Sequence, residues 1–587
     1  MEDQQRQLAE ELLSSQSKKP SYAKELYYGL VAGEHIFPFP QVNSRQKKLE
    51  DQFLKKVKTF VDTKIDADWI DRNADIPKSV IEGLAKLGVL GMTIPKKYGG
   101  LGMSQYAYCK SAELIAMKCA STALFLNAHQ SIGLKALLLF GTDEQKKKWL
   151  IPLARGEQIA AFSLTEPNAG SDAGSVETTA VYFPKKNVYR INGKKQWTTN
   201  GSIANVLTVM AQTNVQTKNG IEKKITAFLV TPDMPGFKIT NPSLEKLGMR
   251  GTKTTNLEFK NMDVPAENIL GPKGGGLKVC LTVLDYGRTT FGATCTGSAK
   301  VITELAIKHA IERKQFNRSL GTFTMVKKKV AMMSALTYAT DATTYLTAGL
   351  LDSGVEDIML ESAMLKVFAS DSQWQILYDA MQILGGRSFF TDRPFERMMR
   401  DSRLNLIGEG SNEVMRVFIG AVGVREVGLE LLDLKTFFSS PKIKYKKVIN
   451  FVNKFVKRFA TNNIPIKSKL FSVESRNLVK ATRKFGFALL GMIAKHKEGI
   501  VEKQLILDRL ATCAMALYSM SAVISKIDYD ISLGNKVVPT LKNDIESAKL
   551  YCQYAINQVE ENLFGLNNNN DKMIEKVSDS ITGLKKI

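Results

Sequence analysis

A glutamate between two glycines is the residue of this chain best suited to act on a bound substrate. Glu409 lies between Gly408 and Gly410. Glycines let a backbone come close to a ligand, and a carboxylate held there can serve as a general base. A second Gly-rich segment, residues 162–172, lies about 240 residues earlier and is the candidate partner of this loop. A solvated turn is the ordinary alternative for such a glutamate, so the interpretation depends on the other motifs of the chain.

Helical patterns come first among the elements that would position these segments. Apolar residues recur at helical spacing over 44–61 and 80–87, and 111–139 is rich in Ala and Leu. Pro95 and Gly99-Gly100 interrupt the pattern. We therefore predict an N-terminal helical domain over residues 1–160.

A β domain is predicted next, over residues 161–272, because the apolar period shortens to two. The segments 188–191 and 194–197 flank Asn192-Gly193, a type I′ hairpin signal, and 225–230 is a strand that ends before Pro232. Helical patterns then return, which predicts a helical bundle over 273–425 that carries Glu409 and a basic C-terminal helical domain over 426–587.

The composition sets limits on the class of protein. A chain of 587 residues with 44% hydrophobic and 24% charged residues is globular and too long for one core. The six cysteines and four histidines are scattered without metal-ligand spacing, so we expect buried thiols, a reducing compartment and no metal site. We find no apolar run of about 18 residues, so no membrane span is expected. The acidic N-terminus predicts neither a secretory signal nor an organellar presequence.

A basic segment supplies much of the net charge of +23. Residues 441–490 contain 13 basic side chains and one acid, Glu474. Part of the segment is amphipathic at helical spacing, with aromatic residues such as Phe455 and Phe459 between lysines, which suits an anionic membrane surface. A bundle helix with a solvated basic face is the alternative, and non-specific nucleic-acid binding is a weaker third reading, so we expect no nucleic-acid partner.

Several motifs, in order and at matching spacing over residues 35–425, resemble those of the acyl-CoA dehydrogenase family. They are Thr165-Glu166-Pro167 with Gly170-Ser171-Asp172, Gln196-Trp197-Thr198-Thr199-Asn200-Gly201, Arg313-Lys314-Gln315-Phe316, Gln382-Ile383-Leu384-Gly385-Gly386 and Glu409-Gly410-Ser411. Three further blocks and the segment after residue 425 look most like the very-long-chain branch. These blocks are Asn127-Ala128-His129-Gln130-Ser131-Ile132-Gly133, Leu139-Phe140-Gly141-Thr142 and Glu245-Lys246-Leu247-Gly248-Met249-Arg250-Gly251.

The resemblance implies a mainly α fold with a central β-barrel domain: a helical domain, a β-barrel and a four-helix bundle, followed here by an extra helical domain. It also implies FAD-dependent dehydrogenation of long or very-long-chain acyl-CoA to trans-2-enoyl-CoA, the first step of β-oxidation. Because no side chain accepts a hydride, a redox cofactor is required. Glu409 corresponds to the catalytic base. Its backbone N–H and a ribityl hydroxyl of FAD would polarise the thioester oxygen.

The resemblance also assigns the cofactor contacts. Thr165 is the expected donor to the flavin ring, Trp197 would pack beside the ring, and Arg313 would bind the pyrophosphate of the FAD held by a neighbouring subunit. The other expected FAD contacts are Phe162, Leu164, Gly170, Ser171, Thr198, Thr199, Phe316, Gln382, Gly385, Gly386, Ser411 and Glu413.

For the substrate, Ser171 corresponds to a pantetheine contact, Asp285 and Arg288 to residues that hold the CoA moiety, and Gly410 to a contact with the thioester. Two positions depart from the family pattern. Gly408 stands where Tyr or Phe is usual, which leaves open a slower site or one that admits bulkier α-substituted acyl groups. Ser411 replaces a usual Thr and keeps the hydroxyl.

The expected partners are an electron-transfer flavoprotein, a second copy of the chain in a homodimer and an anionic membrane surface. We expect a cytoplasmic protein that is peripheral at the inner membrane face, on the matrix side if the source is eukaryotic. Two alternatives stay open. One is an acyl-CoA oxidase that uses O₂, and the other is a flavoprotein with an added role as a membrane-bound assembly partner of respiratory complexes.

Overall fold

The computed structural model describes residues 21–218, 220–439, 456 and 464–584. Most of the amphipathic part of the predicted membrane segment, residues 441–463 apart from Val456, therefore lies outside the described residues. The chain divides into two compact units. One contains Gln41–Ser411, and the other contains Pro20–Pro40 with Asn412–Ile587.

The first unit begins with helices, as the periodicity predicts. Side-chain caps set two of the helix starts: Asn43 accepts from the backbone N–H of Gln46, and Ser104 accepts from that of Ala107. These helices are Ser44–Lys64, Ala67–Asn73, Lys78–Leu87, Gln105–Lys118, Ala120–Leu126, Lys135–Phe140, Asp143–Gln145 and Ile151–Ala154, with π-helical turns at Asn127–Leu134 and Lys146–Leu150.

An eight-stranded sheet follows. Its strands are β1 (Ala160–Ser163), β2 (Thr179–Phe183), β3 (Val188–Thr199), β4 (Val206–Thr217), β5 (Gly220–Val230), β6 (Phe237–Asn241), β7 (Thr254–Pro265) and β8 (Ile269–Leu270). The order is β6-β7-β3-β2-β4-β5-β8, and β1 pairs with β4 in parallel. Because β6 and β8 do not pair in the described residues, closure into a barrel is not confirmed.

The predicted hairpin at Asn192-Gly193 is wrong. Both residues lie inside the continuous strand β3, where its register with β7 shifts between Ile191 and Gly193. A Cβ at Gly193 would lie 2.3 Å from the hydroxyl oxygen of Thr178. The glycine therefore serves a close approach within the sheet, while the chain turns between β2 and β3 at Pro184–Lys186.

Four further helices complete this unit: Gly276–Glu312, Thr324–Asp352, Met359–Leu384 and Phe395–Asn405. The helix Gly276–Glu312 packs against the two helices that follow it and against Gln105–Lys118. Lys300 joins three of these helices, since its ammonium group lies 2.8 Å from Glu113 and 2.5 Å from Asp341.

The second unit is helical. Its helices are Tyr22–Tyr27, Asn412–Ser439, Ser472–His496, Gln504–Leu533, Leu541–Gly565 and Asp571–Thr582. The Tyr22 hydroxyl donates to Ser521 and the Tyr27 hydroxyl to the carbonyl of Ile419. The structure therefore groups Pro20–Pro40 with the C-terminal residues, because these buried tyrosines fill that core. The predicted boundary at 425 falls inside a helix.

Two helical stretches, Ala120–Phe140 and Gln504–Leu533, are long and apolar enough to cross a membrane. Sequence reasoning overlooked these two apolar stretches, whereas the expectation that no segment spans a membrane stays a prediction. However, 72% and 89% of their apolar windows are buried inside the protein, as in core helices of a folded domain. The predicted burial of all six cysteines is confirmed.

Candidate active site

The Glu409 loop has the backbone conformation that its glycines suggest. Glu409 has φ +57° and Gly410 φ +102°, directly after the helix Phe395–Asn405 and its final turn. A non-glycine residue in the left-handed region is uncommon and costs free energy, so the surroundings must hold it there.

Two buried cations hold this loop. The ammonium group of Lys366 donates to the carbonyl of Gly410 at 2.6 Å, and Nε of Arg288 donates to the carbonyl of Glu409 at 3.3 Å. Lys366 is fully buried and Arg288 is 5% exposed. Burial lowers the pKa of Lys366 to about 8, although nearby Glu409 opposes the shift. The two side chains therefore fix the carbonyls of both left-handed residues.

The Glu409 carboxylate faces Asn127 and Gly287. The amide of Asn127 donates to Oε1 at 2.7 Å, while the buried Oε2 has no partner in the described part of the chain. A Cβ at Gly287 would lie 3.1 Å from Oε2, so a side chain there would crowd the carboxylate. Burial raises the pKa of Glu409 to about 7, against the opposing effects of Arg288, Lys366 and Asn127. Such a carboxylate is suited to take a proton near neutral pH.

Asp285 and Arg288, the predicted CoA contacts, have buried partners. They form an ion pair with a separation of 3.6 Å, and Ser362 donates to Asp285 at 2.8 Å. Burial raises the pKa of Asp285 to about 6, and Arg288 opposes this shift. In this structure the pair supports the Glu409 loop, and its contact with CoA stays a prediction.

The two predicted flavin-binding segments form one wall, which we call the flavin wall (residues 162–166 and 195–199). The hydroxyls of Ser163 and Thr198 lie 2.8 Å apart, and the backbone N–H of Gln196 donates to the carbonyl of Thr165 at 2.9 Å. Lys195 donates to the carbonyl of Leu164 and pairs with buried Glu166 at 2.6 Å. Phe162, the first residue of this wall, lies on β1.

Trp197 projects from the flavin wall. It has φ +58° at the irregularity where β3 shifts register against β7 between Lys195 and Thr198, and it is 61% exposed. Thr198 is buried and Thr199 is half-buried. An exposed indole beside threonine hydroxyls provides a flat apolar face with nearby hydrogen-bonding groups, so the residues fit the ring of a flavin.

Hydrogen bonds connect residues next to the flavin wall to the helical segment around Asn127. Nδ1 of His129 accepts from the backbone N–H of Ala160 in β1 at 3.0 Å, and Asn200 donates to the carbonyl of Phe125 at 3.1 Å. His129 is fully buried, which lowers its pKa to about 4. The π-helical turns at Asn127–Leu134 thus join the base and the wall, and such turns are frequent at functional sites.

Gly170 and Ser171 lie on an exposed loop after the flavin wall. A Cβ at Gly170 would meet nothing within 4 Å. Their contacts with cofactor and pantetheine stay predictions. Ser411 ends the first unit, and the exposed Glu413 lies in the first turn of the helix Asn412–Ser439 of the second unit.

The remaining predicted cofactor residues lie away from the base. Arg313 caps the end of the helix Gly276–Glu312, roughly 25 residues after Arg288, which corresponds to about 37 Å along a helix. Phe316, on the hairpin that follows, is 87% exposed. Arg387 lies near Arg313. Burial lowers the pKa of His309, and both arginines contribute to the same shift. Gln382, Gly385 and Gly386 are exposed at the end of the helix Met359–Leu384.

A small cavity lies beside Asn127. It is lined by residues of four segments: Ala120, Leu124, Asn127, Met249, Phe291, Thr294, Ser298 and Asn405. Its volume of about 10 Å³ holds about one water molecule. Beyond it lies a chamber of about 300 Å³ that shares Ala120, Ser298 and Asn405 with it.

Sequence reasoning missed Asn127, Gly287, Lys366 and Asn405 as site residues. A lysine inside the otherwise apolar stretch 363–369 is a signal that could have identified Lys366. Asn127 belongs to a recognised motif, but its role depends on Glu409, which lies 282 residues later in the chain.

Models of protein families match most of the chain. They are "Acyl-CoA dehydrogenase, N-terminal domain" over residues 47–157, "Acyl-CoA dehydrogenase, middle domain" over 161–262, "Acyl-CoA dehydrogenase, C-terminal domain" over 274–423 and "ACAD9/ACADV, C-terminal domain" over 469–587.

Individual relatives are similar over nearly the whole chain. The mitochondrial very long-chain specific acyl-CoA dehydrogenase of Bos taurus is 34% identical, and that of Rattus norvegicus 32%; each alignment covers 94% of this chain and 85% of the relative. A crystal structure of an acyl-CoA dehydrogenase complexed with FAD from Bacillus anthracis has a TM-score of 0.79 at 26% identity, and the match covers 96% of this chain and 95% of that one.

Proposed function

This chain belongs to the acyl-CoA dehydrogenase family, and from that premise we propose that Glu409 is the base of an enzyme for long and very long acyl chains. The protein is an FAD-dependent acyl-CoA dehydrogenase of fatty acid β-oxidation. The observation that carries the proposal is the buried Glu409 carboxylate, with a pKa of about 7 and an unbonded Oε2. The product is trans-2-enoyl-CoA.

Glu409 takes the α proton of the acyl group on Oε2. Asn127 holds Oε1 and thereby turns the carboxylate, while Lys366 and Arg288 fix the loop. In the described residues no group accepts from the backbone N–H of Glu409, so it is free to donate to the thioester oxygen and stabilise the developing enolate. The left-handed backbone and the two buried cations thus keep the carboxylate and the backbone N–H of Glu409 in fixed positions.

FAD, when bound, supplies the acceptor for the hydride of the β carbon. The flavin wall would hold its ring, with Trp197 beside it and Thr165, Thr198 and Thr199 offering hydrogen bonds. Arg313 lies about 37 Å along the helix from Arg288, which holds the loop of the base. Because of this distance, we infer that Arg313 serves the FAD of a second chain in a homodimer. The exposed Gln382, Gly385 and Gly386 would meet the same cofactor.

The cavities beyond Asn127 support a long acyl chain. The small cavity beside Asn127, which we call the passage, lies along the helix Gly276–Glu312, and a chain that followed this helix from Gly287 beside the base to Ser298 would cover a path of about 16 Å. Such a path suits a long fatty acyl chain better than a short one. The passage has a volume of only about 10 Å³, so side chains such as Leu124 and Phe291 must move when the chain enters.

The electron acceptor is proposed to be an electron-transfer flavoprotein, as the family membership supports. The oxidase alternative is not favoured by the relatives. Steady-state peroxide formation in air would reveal an oxidase, and its absence together with reduction of an electron-transfer flavoprotein would support the dehydrogenase. Binding to an anionic membrane face by residues 441–490, and a location at that face, remain proposals drawn from the basic amphipathic sequence.

Anaerobic titration of the purified yellow protein with acyl-CoAs of graded length tests the proposed substrate. Bleaching of the flavin absorbance should be most complete and need the least ligand with palmitoyl-CoA and longer chains. Bleaching only by butyryl-CoA and other short chains would contradict the long-chain assignment.

The variant Gly408→Phe tests whether the missing ring at position 408 makes room for α-substituted acyl groups. It should reduce bleaching by α-methyl-branched acyl-CoA more than bleaching by unbranched acyl-CoA.

A further inference from the structure

The chamber that adjoins the acyl passage is lined by both apolar and polar side chains, unlike the wholly apolar tail of an ordinary fatty acid. Its floor consists of buried polar side chains: Ser298, Gln373, Arg397, Asp401, Ser402 and Asn405. A methyl end placed beside a buried polar atom that lacks a hydrogen-bond partner would keep water away from that atom without replacing it, which is unfavourable. The chamber therefore suits an acyl chain whose distal end is itself polar.

Asn405 indicates which polar group fits. It is 3% exposed, and its amide Nδ2 donates to Gln373 at 2.7 Å. Its Oδ1 is buried and has no hydrogen-bond donor in the described residues. A buried acceptor without a donor costs free energy, so a ligand that donates a hydrogen bond at this point is favoured. Asn405 lines both the passage and the chamber, so it lies where a ligand would pass from one to the other.

The charges of the chamber exclude a carboxylate as the preferred distal group. Four acids, Asp66, Asp68, Asp392 and Asp401, line it against three bases, Lys118, Arg393 and Arg397. Two of the bases are already paired, since Arg397 lies 3.1 Å from Asp68 and Arg393 lies 3.7 Å from Asp392. An added anion would meet a net negative lining, whereas a neutral hydroxyl would not.

We propose that the chamber binds the distal end of ω-hydroxylated long-chain acyl groups, with the hydroxyl donating to Oδ1 of Asn405. The inference rests on the proposed function, because the acyl chain must reach the chamber from the Glu409 carboxylate through the passage at Asn127. Only a chain that spans this passage can place its hydroxyl at Asn405. The preference for a hydroxyl therefore has a length threshold.

The test compares kcat/KM for matched pairs of substrates on the FAD-loaded protein. Each pair consists of an acyl-CoA and its ω-hydroxy form, at lauroyl, palmitoyl and arachidoyl length, with the ω-carboxy form of palmitoyl-CoA as a charged comparison. The hydroxyl should raise kcat/KM by roughly three- to tenfold once the chain is long enough, as expected for one net hydrogen bond. It should give no advantage below that length, and the ω-carboxy form should be the poorest of the three.

Two variants assign the effect to Asn405. Asn405→Leu removes the acceptor at similar volume and should bring the ratio between the hydroxylated and plain substrates close to one. Thr294→Val is the matched control in the same passage. The Thr294 hydroxyl already donates to the carbonyl of Phe291 at 2.7 Å, so its loss should leave the ratio unchanged.

Equal kcat/KM for plain and ω-hydroxy substrates at every length would overturn the proposal, and so would a hydroxyl advantage that survives Asn405→Leu. The wild-type comparison decides the question by itself if Asn405→Leu does not fold. Failure of the proposed function has a different signature, since palmitoyl-CoA and arachidoyl-CoA would then not be oxidised while shorter acyl-CoAs were.

Discussion

The side-chain amide of Asn127 donates a 2.7 Å hydrogen bond to Oε1 of Glu409, across 282 positions of sequence. The bond stabilises the charged carboxylate and restrains its rotation, so that Oε2 is the oxygen left for a substrate proton. A donor bonded to the ionised form lowers the pKa of a carboxyl group, whereas burial raises it. Burial has the larger effect here, and the pKa of Glu409 is about 7.

This balance predicts the pH dependence of the reaction. Because the base must be ionised, kcat/KM should rise with pH through about 7. Removal of the Asn127 donor by Asn127→Leu should shift that midpoint upward, by about 1–2 pH units for a bond to a charged group. The measurement is the pH profile of kcat/KM with palmitoyl-CoA.

Gln130→Leu is the control for this shift, because it removes a buried amide of the same π-helical turns that does not bond to Glu409. Its midpoint should stay at the wild-type value. A midpoint of Asn127→Leu at or below that of the wild type would show that Asn127 does not stabilise the carboxylate.

Glu409→Gln should abolish turnover by several orders of magnitude while FAD and acyl-CoA still bind, because an amide cannot accept the α proton. Stopped-flow reduction of the flavin and the binding of acyl-CoA would be measured on the same preparation. Near-normal reduction would remove Glu409 from the role of base.

The same substitution should change stability in a pH-dependent way. Glu409 has a folded pKa of about 7 against an ordinary value of 4.5, so the folded protein keeps a proton that the unfolded chain loses between these values. The free energy of unfolding of the wild type therefore falls as pH rises through this window. Glu409→Gln lacks this titrating group, so it should be more stable than the wild type above neutral pH, by about 1–3 kcal/mol. Denaturant unfolding at acid and alkaline pH checks this, and a constant difference between variant and wild type would contradict it.

Arg313→Ala should weaken FAD retention and the dimer together, because one guanidinium is proposed to contact both the phosphate and the partner chain. Loss of such a bond at a buried interface costs about 2–5 kcal/mol. Sedimentation and the ratio of flavin to protein absorbance report the two effects. Arg318→Ala, on the hairpin that follows Arg313, is the control, since Arg318 stacks 3.9 Å from the ring centre of Phe323. A dimer with stoichiometric FAD in Arg313→Ala would exclude the cross-subunit role.

Replacement of Lys446, Lys447, Lys454, Lys457 and Arg458 by Gln should abolish binding to anionic vesicles and leave oxidation of soluble acyl-CoA intact. Each basic residue near a charged surface contributes about 1 kcal/mol, and salt screens this part. Co-sedimentation with anionic and neutral vesicles over a salt series measures it. If wild type and variant pellet equally, the segment is a solvated helix face and not a membrane site.

The sequence by itself identified the family and predicted the base, because both inferences depend on short motifs. A glycine on each side of Glu409 and the Thr165, Trp197 and Arg313 blocks can be read locally. The same is true of most helices before the sheet, since an apolar stripe at helical spacing records which face is buried.

Tertiary structure decided the rest. Asn192-Gly193 has the local signature of a turn, but pairing of β3 with both β2 and β7 keeps the chain extended there. The roles of Asn127, Lys366 and Asn405 depend on partners that lie far away in the chain, and no local pattern marks such pairs. Their polar atoms acquire a role only when folding removes water and brings distant groups together, as for Lys366 and Gly410, or leaves an acceptor without a donor in the described residues, as for Oδ1 of Asn405.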